Sequence, residues 1–132
     1  MNIGLDMMGG DFSPLEVVKG IQLYLKEPSH PATLWLVGDE NRVRPLLAGH
    51  GVPDDAVRVV HAEQVIEMHE HPTRALKEKQ QSSIAVGFHL LATGKMHAFI
   101  SAGNTGAMLV GAHYSLKPIE GIQRPTISTV IP

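Results

Sequence analysis

No cysteine occurs among the 132 residues, which removes disulfides, thiolate metal sites and a cysteine nucleophile from this segment. Aromatic residues are scarce at 5%, too few for a base-stacking platform. Neither sign of charge dominates. Lys+Arg 11 against Asp+Glu 13 leaves a formal charge of -2, without the basic excess that nucleic acid demands. No apolar run approaches the roughly 20 residues of a membrane-spanning helix. The opening MNIGLDMMGG has neither the basic region nor the long apolar stretch of a secretory leader, so a cytoplasmic protein is expected. Neither G-x-G-x-x-G nor G-x-x-x-x-G-K-[ST] occurs, so the chain carries no dinucleotide fingerprint and no P-loop.

The remaining composition, 43% hydrophobic and 18% charged, is that of one globular domain able to bury a core. Strand-like and helix-like runs alternate. NIGLD (2–6), TLWLVG (33–38), AVRVVHA (56–62), HAFIS (97–101) and TISTVI (126–131) read as five strands. Helices are expected over 13–26, over 39–51 with an interruption or kink at Pro45, over 82–94 and over 105–117. Ser13 is the expected N-cap of the first, with Pro14 at its first position and Glu16 completing a capping box. The charged stretch 63–81 reads as irregular with one short helix. Strands separated by helices predict βαβ units and a largely parallel sheet covered on both faces. The chain ends on the β-like RPTISTVIP with nothing to cover it, as expected for part of a longer domain.

Two glycine-rich turns stand where such a sheet binds ligands, at the carboxyl ends of strands. They are DMMGGD (6–11) and SAGNTG (101–106). Glycine lets backbone N–H groups approach a ligand, and a helix opening at Thr105 offers unpaired N–H groups to an anion. Ser101, Asn104 and Thr105 add side-chain donors. The bland alternative is tight strand-to-helix packing, which one such loop alone would not exceed. LKEKQQSS (76–83) adds Lys77 or Lys79 as a cation near Ser82, Ser83 and a helix start, or else a solvated face with an ordinary cap. Asp6 and Asp11 flank MMGG and are candidates for orienting the loop or for proton transfer. His69-Glu70-His71 lacks the spacing that aims two imidazoles at one metal, and no metal site is expected.

These segments together resemble the PlsX family, the phosphate:acyl-[acyl carrier protein] acyltransferases of bacterial phospholipid synthesis. The resemblance covers residues 1–132. It rests on GLDMMGGDFSP (4–14), LVGDE (36–40), VIEM (65–68) with HPTRAL (71–76), KEKQQSS (77–83), FISAGNTGAML (99–109) and GIQRPTI (121–127). Gln80 and Gln81 stand where the family usually carries more basic residues, which leaves Lys79 as the better cation candidate. Met96-His97-Ala98 replaces a typical Ala-Asp-Ala, so His97 is not expected to be catalytic.

The resemblance implies a three-layer α/β/α fold like that of the phosphotransacetylases and the isocitrate and isopropylmalate dehydrogenases, with 1–132 as the N-terminal part of a single domain. It implies transfer of a long-chain acyl group from acyl carrier protein to inorganic phosphate, with no metal or other cofactor. It further implies a homodimer, peripheral attachment to the inner face of the cell membrane, and a downstream glycerol-phosphate acyltransferase. Asn104 and Lys79 are then the catalytic candidates. Asp6, Gly9, Gly10, Asp11, Ser82, Ser83, Ser101, Gly103, Thr105 and Gly106 are candidates for holding phosphate or the phosphopantetheine arm. Two other classes stay open: a dehydrogenase of the same fold, and a non-catalytic scaffold that binds acyl carrier protein at the membrane surface.

Overall fold

The computed structural model describes residues 1–27, 29, 31–122 and 126–128. Four strands, β1 (Asn2–Asp6), β2 (Thr33–Gly38), β3 (Val57–His61) and β4 (Ala98–Ile100), form one sheet in the order β3-β2-β1-β4. Every pairing is parallel: Leu5 lies opposite Leu36 and Ile100, and Leu36 opposite Val59. The helices are α1 (Leu15–Lys26), α2 (Glu40–Gly49), α3 (Pro72–Glu78), α4 (Ser83–Ala92) and α5 (Thr105–Ser115).

A sheet covered on both faces needs apolar side chains at consecutive strand positions, because alternate residues point to opposite sides. β2 does this. Leu34 and Leu36 pack with Val18 and Ile21 of α1 and Val43 and Leu47 of α2. Val37 and Trp35 pack on the other face with Leu90 and Val86 of α4. Phe88 of α4 meets Phe99 of β4 edge-on, with ring centroids 5.6 Å apart, and joins Ile66, Ala75, Ile84 and Ala107 in a further cluster. The result is the expected α/β architecture with helices on both faces of a parallel sheet.

The topology fixes where a ligand can enter. The chain runs outward from β1 through α1 to β2 and β3, then returns to place β4 on the other side of β1. The helix after β1 packs on one face, and the helix after β4 packs with α3 and α4 on the opposite face. Adjacent strands whose following helices leave to opposite faces open a crevice at their carboxyl ends. Both glycine loops emerge there.

Several local expectations change. Ser13 does not cap α1: its hydroxyl donates instead to the Met8 carbonyl at 2.9 Å, and Pro14 takes the cap position without a side-chain bond. A carbonyl of the preceding turn competes for that hydroxyl and wins. α2 continues past Pro45, capped by Asp39, whose carboxylate accepts from Asn41 N at 3.0 Å. The run read as a fifth strand lies partly outside the described residues, and Thr126–Ser128 belong to no strand. Among the described residues no helix is long and apolar enough to cross a membrane.

Candidate functional site at the ends of β1 and β4

Asp6, the last residue of β1, is 3% exposed. One carboxylate oxygen accepts from the N–H groups of Met8 (2.9 Å) and Gly9 (3.1 Å). The other accepts from the Ser101 hydroxyl at 2.6 Å, and Ser101 Oγ in turn accepts from Gly103 N at 3.0 Å. A buried carboxylate must be compensated by hydrogen bonds, and here the compensation comes from both glycine loops. Asp6 therefore shapes the two loops as one unit.

Glycine is required where the loops touch. A Cβ at Gly9 would lie 2.5 Å from Asp6 Oδ2, 2.7 Å from Gly103 N and 2.9 Å from Ser101 Oγ. Gly10 has φ +97°, a region that side chains disfavour. The reading of these loops as donors to an anion changes in one respect. The N–H groups of Met8, Gly9 and Gly103 are already spent on Asp6 and Ser101. Those of Gly10 and Asp11 donate to no group among the described residues, and both residues line the cavity beside them.

That cavity, about 300 Å³, is bounded by Met8–Asp11 and Gly103 on one side and by Val65–Met68 on the other. Asp11 and Glu67 are the acidic residues of its lining, and no Lys or Arg among the described residues lines it.

Asn104 and Lys79 lie behind the second wall. Asn104 is 5% exposed. Its Oδ1 accepts from Ala107 N at 2.9 Å, capping α5, while Nδ2 donates to the carbonyls of Glu67 (3.0 Å), Glu70 (3.1 Å) and Met68 (3.4 Å). Lys79 Nζ donates to Val65 O at 2.7 Å and to Glu70 Oε2 at 2.6 Å. Both side chains thus hold the 65–70 segment. Ser82 and Ser83 are buried; Ser82 caps α4 through Ala85 N, and Ser83 N donates to Gln64 O. Thr105 opens α5 and is exposed. A Cβ at Gly106 would run into Pro72 Cγ, so this glycine serves the contact between α5 and α3. The structure therefore brings Asp6, Gly9, Gly10, Asp11, Ser101 and Gly103 together, and sets Lys79, Ser82, Ser83, Asn104, Thr105 and Gly106 outside the cavity lining.

Sequence reasoning missed the wall 65–68 and Glu70. The signal for 65–68 was VIEM among the segments of family resemblance, and Glu70 stood out only within His69-Glu70-His71, because non-repetitive chain has no periodicity to detect. The Lys79 ammonium, then the Glu67 N–H, hold the Glu70 carboxyl below its ordinary range by hydrogen bonding, against the opposing effect of burial.

A family model described as "Fatty acid synthesis protein" matches residues 1–132. The chain belongs to the fatty acid synthesis protein family. Relatives named phosphate acyltransferase agree: that of Dictyoglomus turgidum is 46% identical over 132 residues, all of this chain and 39% of the relative. Those of Magnetococcus marinus and Myxococcus xanthus are 44% and 41% identical over 133 residues, all of this chain and 37% of each relative. The chain thus spans less than two fifths of the length of these curated relatives.

Proposed function

We propose that the chain is the N-terminal part of a single acyltransferase domain. That domain moves a long-chain acyl group from the thioester of acyl carrier protein to inorganic phosphate. The observation that carries this reading is the meeting of two glycine loops at the β1/β4 crevice, locked together by Asp6 and Ser101, beside two uncommitted N–H groups at Gly10 and Asp11. A phosphate oxygen attacks the thioester carbonyl carbon, a C–O bond forms, the C–S bond breaks, and the thiolate leaves to take up a proton. No protein nucleophile is needed, which suits a chain without cysteine.

The N–H groups of Gly10 and Asp11 are suited to the oxyanion that develops at the carbonyl or to a phosphate oxygen. Preorganised donors of this kind need no rearrangement during reaction. With Asp11 and Glu67 at the cavity, a bound dianion needs positive charge from chain beyond the described lining. The family relationship supports extending the proposal to a fold like that of the isocitrate and isopropylmalate dehydrogenases. It also supports a homodimeric cytoplasmic enzyme working against the inner face of the membrane and passing acyl phosphate to a glycerol-phosphate acyltransferase.

The test is release of free thiol from palmitoyl-acyl carrier protein with and without phosphate. Phosphate-dependent release supports the reading. Release without phosphate indicates a thioesterase, and carrier binding with no release indicates a scaffold. Fluorescence quenching on titration with NADH would favour the dehydrogenase alternative.

A further inference from the structure

The wall opposite the glycine loops belongs to neither helix nor strand, yet its main chain is held at both ends and in the middle. Lys79 Nζ binds Val65 O at 2.7 Å and Glu70 Oε2 at 2.6 Å. The same Glu70 oxygen accepts Glu67 N at 2.7 Å, and Glu70 N returns a bond to Glu67 O at 3.2 Å. Asn104 Nδ2 covers the carbonyls of Glu67, Met68 and Glu70. Groups that a helix or sheet ladder would satisfy are satisfied here by three side chains drawn from 70, 79 and 104. Such a wall has one specified shape. Ile66, 5% exposed, anchors it in the cluster with Ala75, Ile84, Phe88 and Ala107, while Met68, 58% exposed, stands at the cavity.

The Glu70–Lys79 pair is the keystone of this arrangement. The two side chains are only 24% and 30% exposed, so the pair is screened less than the surface pair Arg74–Glu78, whose side chains are 77% and 58% exposed. A shared oxygen makes Glu70 bind both the wall's backbone and the lysine that grips the wall's other end.

We propose that Glu70 is a positioning residue that, with Lys79 and Asn104, sets the 65–68 wall against the acyl donor rather than against phosphate. The assignment of substrates rests on the function proposed above. Val65 and Ile66 pack into the clusters behind the wall, so Met68 is its exposed apolar side chain, and the acidic Glu67 beside it offers no cation to a phosphate dianion. Moving the wall therefore alters the fit of the thioester and its acyl group and leaves the N–H groups of Gly10 and Asp11 in place.

The test compares Glu70→Gln, which keeps an acceptor for Glu67 N but loses the charge, with Glu70→Ala, which loses both. The expected KM for palmitoyl-acyl carrier protein rises about 3-fold in Glu70→Gln and about 10-fold in Glu70→Ala, with the KM for phosphate within about twofold of wild type. Equal rises in both KM values, or a fall in kcat with both KM values unchanged, would overturn the proposal. Amide hydrogen exchange provides a readout that needs no turnover: Glu67 N–H should exchange faster in Glu70→Ala, with α1 and β2 unchanged. Unchanged exchange at 65–70 overturns the proposal in its own right. Absence of phosphate-dependent release in the wild type would sink the proposed function, while exchange would still decide the role of Glu70 in the wall.

Discussion

Ser101 Oγ donates to Asp6 Oδ2 at 2.6 Å, joining residues 95 positions apart in the chain. This bond makes two separate glycine loops into one rigid floor, because the same carboxylate holds Met8 and Gly9 and the same hydroxyl holds Gly103. Ser101→Ala leaves Gly103 N–H without its acceptor and removes one of three bonds to a buried carboxylate. The expected loss of stability is about 1–3 kcal/mol, read as a lower urea midpoint with an unchanged denaturant slope. Phosphate-dependent turnover should fall with it, by about tenfold, the size of effect expected from loosening preorganised donors.

Two glycine substitutions separate packing at the site from ordinary helix propensity. Gly9→Ala forces a methyl group to within 2.5 Å of Asp6 Oδ2 and 2.7 Å of Gly103 N, with an expected cost of about 1–3 kcal/mol from overpacking. Gly20 lies exposed in the middle of α1, where an added methyl group would meet nothing within 4 Å. Gly20→Ala should therefore stabilise by up to about 1 kcal/mol. Thermal unfolding of both variants checks the contrast, and a Gly9→Ala protein as stable as wild type would contradict the close approach of the loops.

Asn104→Ala is expected to act through the wall as much as through the helix. It removes the cap on Ala107 N and the donor shared by three carbonyls. Loss of the cap costs about 1 kcal/mol and the uncovered carbonyls about 1–3 kcal/mol more. Asn104→Asp keeps the capping acceptor but turns a negative oxygen toward those carbonyls. The repulsion of that buried charge offsets the recovered cap, so Asn104→Asp should also stay below wild type in stability. Equal stability of Asn104→Ala and wild type in urea would contradict this assignment.

The Glu70 carboxyl gives the stability a definite acid dependence. Lys79 and the Glu67 N–H hold it below its ordinary value of 4.5, burial opposes them, and the charges of Lys79 and His69 add a smaller push in the same direction. A carboxyl lowered on folding stabilises fully above its unfolded value, and that contribution is lost as pH falls through the folded one. The stability gap between wild type and Glu70→Gln should therefore be constant from about pH 6 to 8 and shrink once the pH drops below the ordinary carboxylate range. A gap that widens on acidification would show the opposite sign.

Much of the scaffold is legible in the sequence because it is repetitive. TLWLVG coincides with β2, Ser82 and Thr105 mark the starts of α4 and α5, and the glycine loops fall at strand ends as expected. What stays hidden depends on contacts distant in sequence. Nothing local in KEKQQSS shows that Lys79 reaches back to Val65, or that Asn104 spends its amide on residues 67–70. Both carry the residue types expected of a phosphate site, and both are committed to holding a wall. Ser13 fails as a cap for a related reason: the carbonyl of Met8 is within its reach.

If phosphate is the acyl acceptor, the product is an acyl phosphate, and trapping it decides the matter. Palmitoyl-acyl carrier protein is incubated with the enzyme and radiolabelled phosphate, and the label recovered in palmitoyl phosphate is compared with the thiol released. The expected yield is one labelled palmitoyl phosphate for each thiol released, with no release when phosphate is omitted, and much less of both in Gly9→Ala. Free palmitate accompanying each released thiol, with no labelled palmitoyl phosphate, would contradict transfer to phosphate.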